Sequence, residues 1–215
     1  IIADYLGAIG GAEAIRAHSS VQARGTMEMV GQGMEIRGEV RMYGAAPNKS
    51  LLVMSFPDEG FETKMGYNGE VAWALDPMTG GRFLQGDELQ QIVDEADYYS
   101  ELHDPSKFQS LETLGLTEYA GRAAYQVKLV YISGREVFEY FDEENGLLLG
   151  VENPKSYSQT GETNARTLFS EYQQFGDMMV PTTLIQVLGS GEAVQIKLTA
   201  FEYDNVDPSI FDLPA

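Results

Sequence analysis

The chain has no cysteine. This excludes disulfides, thiolate metal sites and cysteine nucleophiles, while leaving the compartment open. Histidine is nearly as scarce. His18 and His103 stand in unrelated contexts with no His-Glu-x-x-His spacing, so no histidine zinc site is expected. There is no Gly-x-Ser-x-Gly nucleophile elbow and no Walker-type phosphate loop. Gly7, Gly10 and Gly11 lie in a helical pattern and not after a strand, which argues against dinucleotide binding. No apolar run reaches the roughly 18 residues that would span a membrane. Bases are few, 14 against 33 acids, and the net charge of −19 repels nucleic acid and anionic membrane surfaces. The reading is therefore of no catalytic residue, no metal ligand and no cofactor. The chain opens Ile1-Ile2-Ala3-Asp4, without initiator Met or signal-peptide pattern, as a trimmed chain whose targeting segment is out of view.

What is present is alternation. Between residues 25 and 75, short segments run in strict period two, and six of the nine methionines fall there. Met27 and Met29 alternate with Thr26 and Glu28. Met34, Ile36, Val40 and Met42 alternate with Glu35, Arg37, Glu39 and Arg41, and Met54 and Met65 continue the series. Such a pattern gives strands with one wet and one dry face. Methionine is unusual filling for a sheet, where β-branched and aromatic residues predominate. Its unbranched thioether adapts to irregular partners. Two readings stand: a surface that holds an apolar ligand of variable shape, or a sheet packed on its own helix with methionine as gap filler.

Around this stretch, Ile2, Tyr5, Leu6 and Ile9 form the stripe of an opening helix, broken at Gly10-Gly11, with a further helical stretch from Ala12 to Ala17. Strands are expected at 21–30, 34–43, 50–56, 61–67 and 70–76, with turns at Gly31-Gln32-Gly33 and Asn68-Gly69. Residues 76–81 read as loop. A second helix begins at Asp87, which with Gln90 resembles a capping box, and its stripe is Leu89, Ile92, Val93 and Ala96. Residues 98–112 give no clear pattern. Strands return at roughly 113–119, 123–131, 135–142, 147–153, 165–175, 180–188 and 193–203. Ile210, Phe211 and Leu213 are available to pin the tail. Asp204-Asn205-Val206-Asp207 reads either as a solvated loop or as a loose calcium site. Trp73 has the parity of Val71 and Leu75, and serves as core anchor or ligand contact.

The order of helix, Met-rich meander, Asn-Gly hairpin with tryptophan, helix and long meander resembles the periplasmic lipoprotein-carrier superfamily, the LolA-like proteins. The phrases that carry it are Tyr67-Asn68-Gly69 leading to Trp73 and Asp76-Pro77-Met78-Thr79-Gly80, Tyr140-Phe141-Asp142 leading to Asn145-Gly146-Leu147, Val180-Pro181-Thr182, and Asp207-Pro208-Ser209-Ile210-Phe211-Asp212-Leu213-Pro214. The resemblance implies an α+β, mainly β fold over 1–215 as a single half-barrel domain. In it a strongly curved antiparallel sheet of about ten or more strands forms an incomplete barrel, with an N-terminal helix and a lid helix on its concave side. It also implies a non-enzymatic carrier for lipid or lipoprotein acyl chains in the bacterial envelope, monomeric, with an envelope protein as a further partner. On that basis the apolar site comprises Met27, Met29, Met34, Ile36, Met42, Met54, Met65, Trp73, Leu89, Ile92 and Val93. Some family members use a cavity arginine; Arg24, Arg37 and Arg41 all fall on polar faces here. The alternative from another class is a structural or protein-interaction module whose sheet is filled by its own helix.

Overall fold

The structure is a computed structural model that describes residues 1–31, 34–158 and 161–214, the side chains of residues 31, 34 and 158 excepted. It is mainly β. One antiparallel sheet of 13 strands, not closed into a barrel, runs in the order β6-β5-β4-β3-β2-β1-β13-β12-β11-β10-β9-β8-β7. The edges are thus β6 and β7. The strands are β1 (Ser20–Gly31), β2 (Met34–Ala45), β3 (Lys49–Phe56), β4 (Phe61–Tyr67), β5 (Ala72–Asp76), β6 (Gly80–Phe83), β7 (Phe108–Tyr119), β8 (Arg122–Tyr131), β9 (Glu136–Asp142), β10 (Leu148–Ser158), β11 (Gly161–Phe175), β12 (Met178–Leu188) and β13 (Ala193–Tyr203). Helices α1 (Ile2–Ala8), α2 (Ala12–Ala17) and α3 (Gly86–Glu95) accompany them, with 3₁₀ turns at Ser100–Leu102, Pro105–Lys107 and Pro208–Phe211. Two compact units are present: Ile1–Ala17 with Glu101–Gln195, and His18–Ser100 with Ile196–Ala215.

In the first unit, the stripe of α1 buries Tyr5, and Ile9 just beyond the helix is buried too, at 3% and 2% exposure. The Tyr5 ring meets Phe141 of β9, and Val127 and Leu129 of β8 are buried in the same unit. The chain leaves α1 at Gly10, which has φ +119°; a Cβ there would stand 2.3 Å from the Asp177 carbonyl oxygen. The helix end therefore seats against the β11–β12 turn, where Met179 N–H donates to Ile9 O at 3.0 Å.

In the second unit, β1 to β6 form a meander. The turn expected at Gly31-Gln32-Gly33 falls on residues 32 and 33, outside the described residues, but the strands it joins pair in unbroken register from Ser20↔Ala45 to Gly31↔Met34. The Asn68-Gly69 hairpin is present: Asn68 Oδ1 accepts from the N–H groups of Glu70 and Val71 at 3.0 and 2.9 Å.

Several expectations need correction. Residues 80 and 81, expected as loop, open the edge strand β6, because the backbone of Gly80-Gly81-Arg82-Phe83 completes the ladder of β5 although its side chains are exposed. Strand β7 begins at Phe108, five residues before its expected start at 113, for the same reason: backbone pairing with β8 holds it without an apolar face. Helix α3 starts at Gly86 with Gln85 as N-cap and no side-chain cap, so Asp87 lies inside the first turn, where its charge favours the helix dipole. Leu213 is 45% exposed and does not pin the tail, whereas Phe211 is buried.

Candidate functional site

The register of β1 to β5 decides which residues share a face, since directly opposite residues in an antiparallel pair project to the same side. Met29 lies opposite Ile36, Ala23 opposite Met42, and Gly25 opposite Val40. Val40 faces Met54 and Met42 faces Leu52 across β2–β3. Leu52 then faces Met65, and Met54 faces Thr63. Met65 faces Ala74 across β4–β5. Met27, Met29, Ile36, Met42, Met54 and Met65 therefore stand on one side, and the backbone of Met34, opposite Gly31, has the same parity. The Met34 side chain is outside the described residues. Met27 is buried at 2% exposure, while Met29, Ile36, Met42, Met54 and Met65 are half-buried. Val40, Leu52, Phe56 and Phe61 belong to the same face, where strand parity alone places them.

Helix α3 covers one end of this face. Leu89, Ile92 and Val93 pack, with Met65, against Tyr67, Ala72, Ala74, Leu84 and Ala96. The seat is Tyr67, Ala72, Ala74 and Leu84, and none of the helix's own ten residues is fully buried on it. Arg82 of β6 fixes the N-terminal end, donating from Nη1 and Nη2 to the two carboxylate oxygens of Glu88, both at 2.6 Å.

Trp73 does not share that face. It lies opposite Gly66, one step out of phase with Met65↔Ala74, and packs with Leu51, Val53 and Phe211 beneath the C-terminal 3₁₀ turn. This corrects its placement among the methionines: the alternation that puts Ala72 and Ala74 toward α3 must turn Trp73 the other way. Of the two sequence readings, its position is that of the core anchor. At 4% exposure it requires Gly66, where a Cβ would meet the indole at 2.9 Å. At Ala72, Trp73 and Ala74, β5 is thus buried on both sides.

Away from Trp73, the same opposite face is polar across β1 to β4. Arg41 and Lys64 flank Glu62 at 2.7 and 3.0 Å, and Ser55 Oγ donates to the same carboxylate at 2.7 Å. Partial burial opposes ionisation of Glu62, but the Ser55, Lys64 and Arg41 partners win and lower its pKa. Arg37 pairs with Glu35 at 2.6 Å, and Arg24 with Glu202 at 3.4 Å. Such surface pairs contribute about 0–1 kcal/mol each.

The first unit holds a separate polar cluster that the sequence did not reveal. His103, 6% exposed and at φ +50°, places Nε2 2.7 Å from Glu139 Oε2 and Nδ1 2.9 Å from the Glu101 carbonyl. Tyr5 Oη donates to Glu101 Oε2. Both imidazole nitrogens face acceptors, so only the doubly protonated ring satisfies both. Burial disfavours that charge, yet the Glu139 carboxylate, with Glu101, raises the His103 pKa to about 9. Glu101 is itself raised by burial. Every polar atom of the imidazole is engaged, which makes the cluster an anchor for α1. In the second unit, His18 Nδ1 meets Asp204 Oδ2 at 2.7 Å, and Ser19 N–H donates to Asp204 Oδ1 at 2.7 Å. His18 and Ser19 depress Asp204 to about 2. Asp207 caps the last 3₁₀ turn through Ser209 N–H at 2.9 Å. Both carboxylates of the weighed calcium loop are thus engaged within the chain.

No protein-family model matches the chain, and no curated protein matches it in sequence. Solved structures do match. A LolA superfamily protein from Nitrosomonas europaea aligns over 99% of this chain and 96% of its own, at TM-score 0.66 and 14% identity. A DUF1329 family protein from Desulfovibrio piger covers 93% and 92%, at TM-score 0.66 and 13% identity. A domain from Vibrio parahaemolyticus, described as a putative outer membrane lipoprotein-sorting protein, covers 99% and 97%, at TM-score 0.62 and 14% identity. The chain has the LolA-like fold. At these identities the likeness is one of fold.

Proposed function

We propose that this chain is a non-enzymatic binding or carrier protein for lipid-like molecules, acyl chains above all, in the bacterial cell envelope. The observation that carries the reading is the line of half-buried methionines on one face of β1 to β4, reaching past the end that α3 covers. A self-filled sheet gains more from rigid β-branched packing; unbranched thioethers suit a partner that changes shape. The fold shared with LolA superfamily proteins supports the same function, and an envelope protein as donor or acceptor of the ligand belongs to it. The rival, a structural module, draws on α3: Leu89, Ile92 and Val93 already occupy the Met65 end.

A native mass spectrum of the protein purified from its own source separates the two. A co-purifying lipid is the expected result, and a bare mass favours the module. Met54→Glu sharpens the test by placing a carboxylate on the face. If the face opens to ligand, water solvates the carboxylate, so the variant folds but loses uptake of a fluorescent acyl probe. Global unfolding of Met54→Glu points instead to a dry, self-filled core.

A further inference from the structure

Resting on the reading that the methionine face holds a lipid-like ligand, we infer that this ligand is an uncharged acyl ester and that Thr63 selects it by donating a hydrogen bond to the ester carbonyl. Two independent observations carry this. The first is the distribution of charge. The registers put Arg24, Arg37, Arg41, Lys49 and Lys64, the cations of β1 to β5, on the side opposite the methionines. The acids Glu28, Glu35, Glu39 and Glu62 have that same parity. Among the described residues of β1 to β6, two charged side chains have the parity of the methionine face, and both are engaged. Asp76 Oδ1, at the end of β5, accepts from the N–H groups of Met78 and Thr79 at 2.8 and 3.0 Å. Arg82, opposite Ala74, is held at both terminal nitrogens by Glu88. Among the described residues of β1 to β6, an ionised head group on this face meets no unengaged cation and loses its hydration, a cost that an uncharged ester avoids.

The second observation is Thr63 itself. It stands in mid-strand on the methionine face, opposite Met54 and two residues from both Phe61 and Met65. Its Oγ1 is shielded from solvent and has no hydrogen-bond partner. A buried hydroxyl without a partner is destabilising, so the position gains from any ligand that supplies an acceptor. An ester carbonyl does so without bringing charge, and the flexible thioethers of Met54 and Met65 can rotate aside to admit it. Arg82 and Glu88 neutralise each other, and Ser50 shares this parity, but among the described residues of the face Thr63 carries the buried hydroxyl without a partner and so distinguishes an ester from a bare hydrocarbon.

The test titrates the whole chain with pyrene-labelled dodecanoic acid and with its methyl ester, at about pH 8, where the free acid is ionised. The ester should bind at least about tenfold more tightly than the acid. Thr63→Val should weaken ester binding about fivefold, the worth of one neutral hydrogen bond. Thr63→Ser should restore it. Thr63→Val removes an unpaired buried hydroxyl while keeping the side-chain shape, so its melting temperature should equal or exceed that of the parent. Equal or tighter binding of the acid, or an ester affinity unchanged in Thr63→Val, overturns the inference while leaving the binding reading intact. If neither probe binds, the binding reading falls, and the ester selection falls with it.

Discussion

Helices α1 and α3 each lie on a sheet, yet they are held by opposite means. The seven-residue α1 drives Tyr5 into the core, where its ring stands 5.1 Å from Phe141 and 6.0 Å from His103, and its hydroxyl joins the Glu101–His103–Glu139 cluster. The ten-residue α3 has no buried residue and rests on alanines through a half-buried stripe. The shorter helix is the better anchored. Burial and saturated buried polar groups, more than helix length, set the free energy needed to lift an element off its sheet. The α1 element is permanent structure by this criterion, and α3 is the part that can yield.

The comparison breaks most readily at Tyr5. Tyr5→Ala removes a buried ring and leaves Glu101 without its donor. The expected loss is about 3–5 kcal/mol in urea unfolding. Tyr5→Phe keeps the ring and should cost about 1–3 kcal/mol, the penalty for leaving a buried acceptor unpaired. A Tyr5→Ala loss below about 1 kcal/mol, the scale of an ordinary surface substitution, would place α1 in the same class as α3.

The polar anchor also gives unit one a pH dependence. His103 titrates near 9 in the fold against about 6.5 in an unfolded chain. A raised pKa of a basic group contributes stability that is full below about 6.5 and is lost as pH rises toward 9. The groups facing the ring act in the same sense: Glu101 and Tyr5 are both raised, first by burial, so the folded chain holds their protons longer as well. The melting temperature should therefore fall between pH 6 and 9, about the window set by these values. In His103→Gln, which keeps a donor toward Glu139 but cannot titrate, that slope should flatten. An unchanged slope in the variant would assign it elsewhere.

The sequence was informative wherever a face was half wet. Period two located β1 to β4 and put six methionines on one parity, because those segments alternate polar and apolar residues, and turn residues bounded β8 to β13. It failed at β6 and at the start of β7, where exposed edge backbone pairs without any apolar signature. Trp73 went astray for a related reason. β5 is buried on both sides, so dryness did not say which side, and only the register with Gly66 settles it. The His103 cluster was invisible because its members, Tyr5, Glu101, His103 and Glu139, come from distant points of the chain. No local pattern encodes such a meeting. Thr63 was legible in principle, as a polar residue between Phe61 and Met65 in the apolar parity of β4.

The gentlest probe of the comparison is α3 itself. Its first backbone bond, Leu89 N–H to Gln85 O, is long at 3.4 Å, while Ala96 N–H to Ile92 O closes the far end at 2.9 Å. The helix lacks a side-chain N-cap, an omission that typically costs about 1 kcal/mol. Ile92→Ala should accordingly lower global stability by only about 1 kcal/mol, less than the usual 2–5 for a fully buried isoleucine, since the side chain is half-buried. Its main effect should be local. Hydrogen exchange across Leu89 to Ala96 is expected to be faster than in 123–131 or 180–188 before any substitution, because β8 carries Val127 and Leu129 at no more than 1% exposure. Ile92→Ala should widen that gap and leave the exchange of β8 unchanged. Equal protection of α3 and β8 would instead make α3 as fixed as α1, and the sheet face beneath it a closed core.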